Sequence, residues 1–161
     1  MTECLDYEIR PYRSHDAHRT REIFQTAVTV TAAHDYAPAQ LAAWVERSQG
    51  HLSQWDQAMS ARNSLVACID DKVVGFTDID ASGYIHMIYV APKYGRQGVA
   101  SALLKHLEQL ARNTGVPTLS AEVSITGRGL FEHHGFSVIA EHHRVLNRVE
   151  LLNYHMTKML R

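Results

Sequence analysis

IYVAPKYGRQGVASALL, residues 88–104, leaves an apolar run through Pro92, presents Lys93, Tyr94 and Arg96, places glycines at 95 and 98, and continues in alanine and leucine. The order predicts a strand, a short basic turn and a helix. A helix start carries unpaired N–H groups and roughly half a positive charge, and a glycine there lets an anion approach the backbone. Gly98 stands at that point, so the stretch reads as a phosphate-binding loop. It is not a kinase-like P-loop: Val99 and Ala100 follow Gly98 where GxxxxGK[ST] needs a lysine and a hydroxyl. Gly127 and Gly129 form no dinucleotide fingerprint, because Glu132 occupies the place of a third glycine and no long βαβ crossover is opened there. What fits is a pyrophosphate held by main-chain amides with Lys93 and Arg96 beside it. Taken alone, the pattern also fits a plain strand-to-helix connection whose glycine is a turn residue.

The rest of the chain narrows the choice. At 161 residues it suits one domain, 1–161, able to bury roughly two thirds of its unfolded surface. Hydrophobic residues are 45% and charged residues 20% of the chain, the balance of an ordinary globular protein. A net charge of −1 gives no general field for nucleic acid, so an anion site has to be a local arrangement of donors. Cys4 and Cys68 are too few for a disulfide framework, and neither sits in a CxxC or catalytic setting. MTECLDYEIR is polar and acidic where a signal peptide is basic and then apolar, and no run approaches a membrane span. The expectation is a soluble, cytoplasmic protein with no membrane or nucleic-acid partner.

Periodicity lays out the elements. YEIRPYR alternates as a first strand, and Ser14 or Asp16 can cap a helix with Ile23, Phe24, Ala27 and Val28 on one face. Pro38 opens a second helix with Leu41, Trp44 and Val45 as its stripe. SLVACID and KVVGFTDID form a hairpin at Asp70 and Asp71, and YIHMIYV reads as a third member of that meander. A helix runs from Gly98 until Asn113 and Gly115 stop it. TLSAEVS is a strand, GRGLFEHHGF a short helix ending at Gly135, and two strands near 136–146 and 149–160 close the chain. The fold class is thus α/β of the mixed α+β kind, a mostly antiparallel sheet of about seven strands with helices on both faces.

VAPKYGRQGVASALL, preceded by VVGF and followed by FEHHGF, resembles the GNAT superfamily of acetyl-CoA-dependent N-acetyltransferases, with a likeness running from IRPYRSHD to MTKML. The family motif Q/R-x-x-G-x-G/A falls on Gly95, Arg96, Gln97, Gly98, Val99 and Ala100, and the resemblance implies that the amides of 95–101, ending at Ser101, grip the pyrophosphate of coenzyme A. It implies too that the pantetheine arm pairs with Ile88, Tyr89 and Val90. Two positions depart from the family: Gly95 stands where Gln or Arg is preferred, with Arg96 beside it as a substitute, and Phe131 stands where many members carry a tyrosine as acid for the departing thiolate.

The chemistry needs a base more than an acid. A lysine-like amine has a pKa of about 10.4, so near pH 7 only about one molecule in a thousand is the free nucleophile, whereas an alkyl thiolate, with a pKa of about 8.5 as a guide, is a tolerable leaving group. His86, two residues before Ile88 and expected on the same strand face, and Glu122, a carboxylate inside the apolar strand TLSAEVS, are the two candidates, with Glu122 favoured. A half-buried structural histidine and a solvated outward-facing glutamate are the competing readings. Tyr36, Trp44 and Trp55 can wall an acceptor pocket or simply pack the core. His133, His134, His142 and His143 lack metal-ligand spacing and read as surface residues, so no metal is expected. The resulting expectation is direct transfer of acetyl from acetyl-CoA to a primary amine on a small molecule or peptide, in a monomer or homodimer. A non-catalytic acyl-CoA-binding sensor is the rival. Asp78 and Asp80 are acidic groups that could attract a cationic acceptor.

Overall fold

The computed structural model describes residues 7–160. In chain order it contains β1 (Glu8–Pro11), α1 (Ala17–Thr26), α2 (Pro38–Val45), α3 (Leu52–Ala61), β2 (Asn63–Ile69), β3 (Lys72–Ile79), β4 (Tyr84–Ile85), β5 (Ile88–Val90), α4 (Val99–Asn113), β6 (Thr118–Ser124), α5 (Arg128–His133), β7 (Ser137–Leu146) and β8 (Val149–Met159). The strands form two four-stranded sheets, ordered β1-β2-β3-β5 and β4-β6-β8-β7. Every pairing is antiparallel except β4 with β6. Both tight hairpins are built as two-residue turns with positive φ, at Asp70 (51°) and Asp71 (64°) and at Asn147 (48°) and Arg148 (65°). Such primed turns match the twist of the strands they join. Cys68 is a buried free thiol; Cys4 lies outside the described residues.

Helices cover both faces, as the sequence predicts. On one side Ile23, Phe24, Val28, Tyr36, Leu41 and Met59 pack on Val66, Cys68, Val73 and Phe76. On the other, α4 sends Val99 and Leu103 onto Ala67 and Val74, and Leu104, Leu107 and Ala111 onto the Leu119, Ala121 and Val123 face of β6. The helix α3 is absent from the sequence reading. Its apolar positions, Leu52, Trp55 and Met59, are spread thinly among polar residues, yet Met59 is fully buried and its carbonyl accepts from Ser64 Oγ (2.7 Å) at the start of β2.

The larger correction concerns YIHMIYV, which is two strands and not one. Asp78 in β3 is fully buried. Its Oδ1 accepts from the amides of His86 (2.8 Å) and Met87 (3.1 Å), and its Oδ2 from Arg62 Nε (3.0 Å). A side chain has taken the donors that a continuous ladder would have used. β4 therefore pairs with β6 while β5 stays on β3, and among the described residues the outer edge of β5 has no strand beside it. The two sheets diverge at this break and leave a cleft between β5 and β6. His86 sits in the break, so the strand-face argument that placed it beside Ile88 does not hold.

Candidate active site

The basic loop ends in the geometry its glycines predict. Gly98 has φ 86° and is the residue from which α4 starts. Arg96 also has positive φ (58°), a conformation that costs a non-glycine residue on the order of 1 kcal/mol and that recurs at functional sites. Gly95, Arg96, Gln97 and Gly98 are exposed, and Gln97 Nε2 donates to Lys93 O (3.3 Å), tying the loop together. The amides of Val99, Ala100 and Ser101 are first-turn donors with no acceptor in their own helix. On one side of this turn lies the free edge of β5, Ile88–Val90. An anion on the helix start and an amide-containing chain along a strand edge are what such a surface can hold, so the residues fit coenzyme A.

Beyond the cleft is a cavity of about 530 Å³, lined among others by Tyr36, Trp44, Trp55, His86, Tyr89 and Glu122. Strand register explains why the glutamate points into it. Glu122 is opposite His155 on β8, and Ser124 is opposite Asn153, which is in turn opposite His142 on β7. These residues share one face of the sheet. His155 Nδ1 lies 2.8 Å from Glu122 Oε1 and His142 Nδ1 lies 3.0 Å from Oε2, with the two imidazoles stacked at 5.9 Å. A carboxylate has only acceptors to offer, so both contacts are made by protons on Nδ1. The solvated reading of Glu122 gives way to a carboxylate 21% exposed and gripped on both oxygens.

The GNAT acetyltransferase domain family model matches residues 32–158. The chain belongs to the GNAT family. The uncharacterized N-acetyltransferase YafP of Escherichia coli (strain K12) is 34% identical over 149 residues, spanning 92% of this chain and 93% of that protein. A GCN5-related N-acetyltransferase structure from Rhodopseudomonas palustris matches with a TM-score of 0.91 at 29% identity, covering 95% of each chain. The PaiA N-acetyltransferase of Thermoplasma acidophilum, in complex with coenzyme A, shares the fold at a TM-score of 0.75 and 18% identity, covering 96% of this chain and 99% of that one. Family membership makes this GNAT protein an acetyl-CoA-dependent acyltransferase of mixed α/β architecture.

Within this GNAT fold the remaining candidates sort by what they touch. His86 is at the cavity but is tied to Asp80 (Nε2 to Oδ2, 3.0 Å) and set edge-on against Tyr84. Among the described residues no hydrogen bond joins it to Glu122. Burial pushes the Tyr89 phenol well above its ordinary value, so it keeps its proton and is no base near neutrality. Tyr36 holds the cavity wall together: its hydroxyl donates to Leu152 O (2.6 Å) and accepts from Ile125 N (2.9 Å). Trp44 and Trp55 pack against the core and also line the cavity.

Phe131 is buried edge-on against Phe136 (4.9 Å) and does not line the cavity. Other expectations are corrected. His134 is not a free surface residue; its Nε2 lies 3.0 Å from Ser101 Oγ on the first turn of α4. His142, also expected at the surface, is half exposed but bound to Glu122. Asp78 is consumed by the strand break, and Asp80 by Ser82, the Tyr84 amide and His86, so neither offers the cavity a negative wall. Sequence reasoning missed His155 and Asn153, whose only signal is the period of two along β8 once its register to β6 is known. Among the described residues no group of three His, Cys, Asp or Glu can hold a metal ion, and no helix is long and apolar enough to cross a membrane.

Proposed function

We propose that this chain transfers acetyl from acetyl-CoA directly to a primary amine, with Glu122 as the base. The observation that carries the reading is the Glu122 carboxylate, standing in the cavity on the strand that faces the free edge of β5 and held by His142 and His155. Acetyl-CoA supplies an acetyl group already activated as a thioester. The residues that would hold it are the amides of Gly95, Arg96, Gln97, Gly98, Val99, Ala100 and Ser101 at the pyrophosphate, with Ile88, Tyr89 and Val90 along the arm.

Glu122 takes the proton of the incoming ammonium, directly or through a water, and its two imidazoles fix the carboxylate so that its lone pairs face the cavity. His86, at the mouth, orients the same water and is the second candidate for the proton. No covalent acetyl-enzyme is required: Cys68 is buried, and burial pushes its thiol up, away from the reactive thiolate.

Initial-rate kinetics test the whole reading. Thiol release from acetyl-CoA should depend on an added amine, with a sequential pattern and an unmodified mass for the protein. A protein that binds acetyl-CoA tightly and acetylates no amine is the non-catalytic sensor instead.

A further inference from the structure

The charges lining the cavity are wrong for a polycation. Among the described residues Glu122 is the one carboxylate on its wall, against three guanidinium groups, Arg47, Arg62 and Arg144. Arg62 is neutralised by Asp78 (2.9 Å). The side chains of Arg47, just past α2, and Arg144, on β7, make no hydrogen bond or ion pair with any described residue. Both line the same cavity, and the charged form of Arg47, an exposed residue, is disfavoured first by partial burial and then by Arg144. Both also act on the Tyr84 hydroxyl, which burial and Glu122 push up while the two arginines pull it down. Tyr84, Glu122 and both arginines line the one cavity. Glu141 and His143 do not line this cavity but border a more open recess beside it, which shares Tyr84, Glu122, Arg144 and Asn153 with the cavity and brings one further carboxylate to the Arg144 side.

A second, independent feature lies on the same face. Asn153 Oδ1 is buried with no hydrogen-bond partner among the described residues, and Asn153 lines the cavity one register step from Glu122. A buried acceptor left open at a ligand site is completed by a donor on the ligand.

We infer that the acceptor is an amino-acid-like molecule, carrying a carboxylate for Arg47 and Arg144 as well as the amine that faces Glu122 and Asn153. The inference rests on the reading of this cavity as the acceptor site of an acetyl transfer. Two guanidinium groups lining one cavity, with no counter-ion among the described residues, offer a planar carboxylate charge-assisted donors. The same pair repels polyamines and aminoglycosides, which would bring further cations beside them.

The test uses the full chain and matched acceptors: an amino acid, its amide, the diamine of equal length and the aminophosphonate of equal length, each assayed by thiol release from acetyl-CoA. The carboxylate is expected to lead in kcat/KM by about tenfold or more. Arg47→Gln and Arg144→Gln are each expected to raise its KM about ten- to hundredfold, the range for loss of a charge-assisted pair, while calorimetric affinity for acetyl-CoA stays within about twofold. Equal or faster turnover of the amide or the diamine overturns the inference, and a lead for the aminophosphonate overturns the carboxylate. So does a protein that binds acetyl-CoA yet neither binds nor acetylates any carboxylate acceptor. A protein that binds no acetyl-CoA fails the acetyl-transfer reading itself and takes this inference with it.

Discussion

Glu122 and His155 are Cα partners across the β6–β8 ladder, and their side chains meet at 2.8 Å where Glu122 reaches the cavity wall. The pairing gives the proposed base a fixed direction, and His142 on the other oxygen is half exposed, which puts a titratable group between the carboxylate and solvent. Glu122→Gln is expected to lower kcat/KM at neutral pH by about 10²–10⁴, the usual worth of a general base. Much of the loss should return at high pH as free amine appears, with acetyl-CoA affinity unchanged. His155→Asn removes a positioning group and should cost about tenfold in kcat with little change in KM. The kcat/KM–pH profiles of the variants decide the matter; a Glu122→Gln profile identical to wild type would move the base to His86.

The anion site makes a prediction in which stability and binding part company. Ala100 is the second residue of α4, where a carboxylate favours the helix dipole of the free protein. Ala100→Asp should therefore leave the melting temperature unchanged or slightly higher. Beside a bound pyrophosphate the same carboxylate is a like charge, worth roughly 4 kcal/mol at 4 Å with an effective dielectric near 20. Calorimetry should record a loss of more than about 10²-fold in coenzyme A affinity. Unchanged affinity would remove the loop from the site.

What the sequence discloses follows from how local each cause is. The strand, turn and helix of 88–113 are legible because every cause lies within a few residues: the apolar run, Gly98, the helical spacing. Glu122 stands out in the sequence as the one charged residue of TLSAEVS, but it falls in phase with Thr118, Ser120 and Ser124 on the half-buried face of β6, so the strand by itself does not tell a solvated glutamate from one at a cavity. His155 is not legible, since its role depends on a register set 33 positions further along the chain. The split of YIHMIYV is equally hidden, because the carboxylate that takes the His86 and Met87 amides belongs to another strand. α3 is missed for a different reason: a helix that buries little beyond Met59 and Trp55 has no strong stripe to read.

That split supplies the last prediction. Burial pushes the Asp78 carboxyl above the ordinary carboxylate range, against the pull of Arg62 and the His86 and Met87 amides. Removing it strands a half-buried guanidinium and two amides, so Asp78→Ala should destabilise the protein by about 3–5 kcal/mol in urea unfolding, the range for breaking one side of a buried pair. Asp78→Asn, which keeps an acceptor for the two amides, should cost less. Acid should not reproduce either variant. A carboxyl with a raised folded pKa binds its proton more tightly in the native state, so its contribution is complete below its unfolded value and is lost as pH rises through the folded one. The opposite holds for Asp80 at the same turn. Burial works against its charge, but the Ser82 hydroxyl, His86 and the Tyr84 and Ser82 amides outweigh it and hold its pKa at about 2 against an ordinary 3.8. Its contribution is present above 3.8 and lost as pH falls toward 2. Asp80→Asn should therefore flatten the stability–pH curve across that acid window, while Asp78→Asn leaves the acid limb standing; an acid limb abolished by Asp78→Asn and untouched by Asp80→Asn would reverse the assignment.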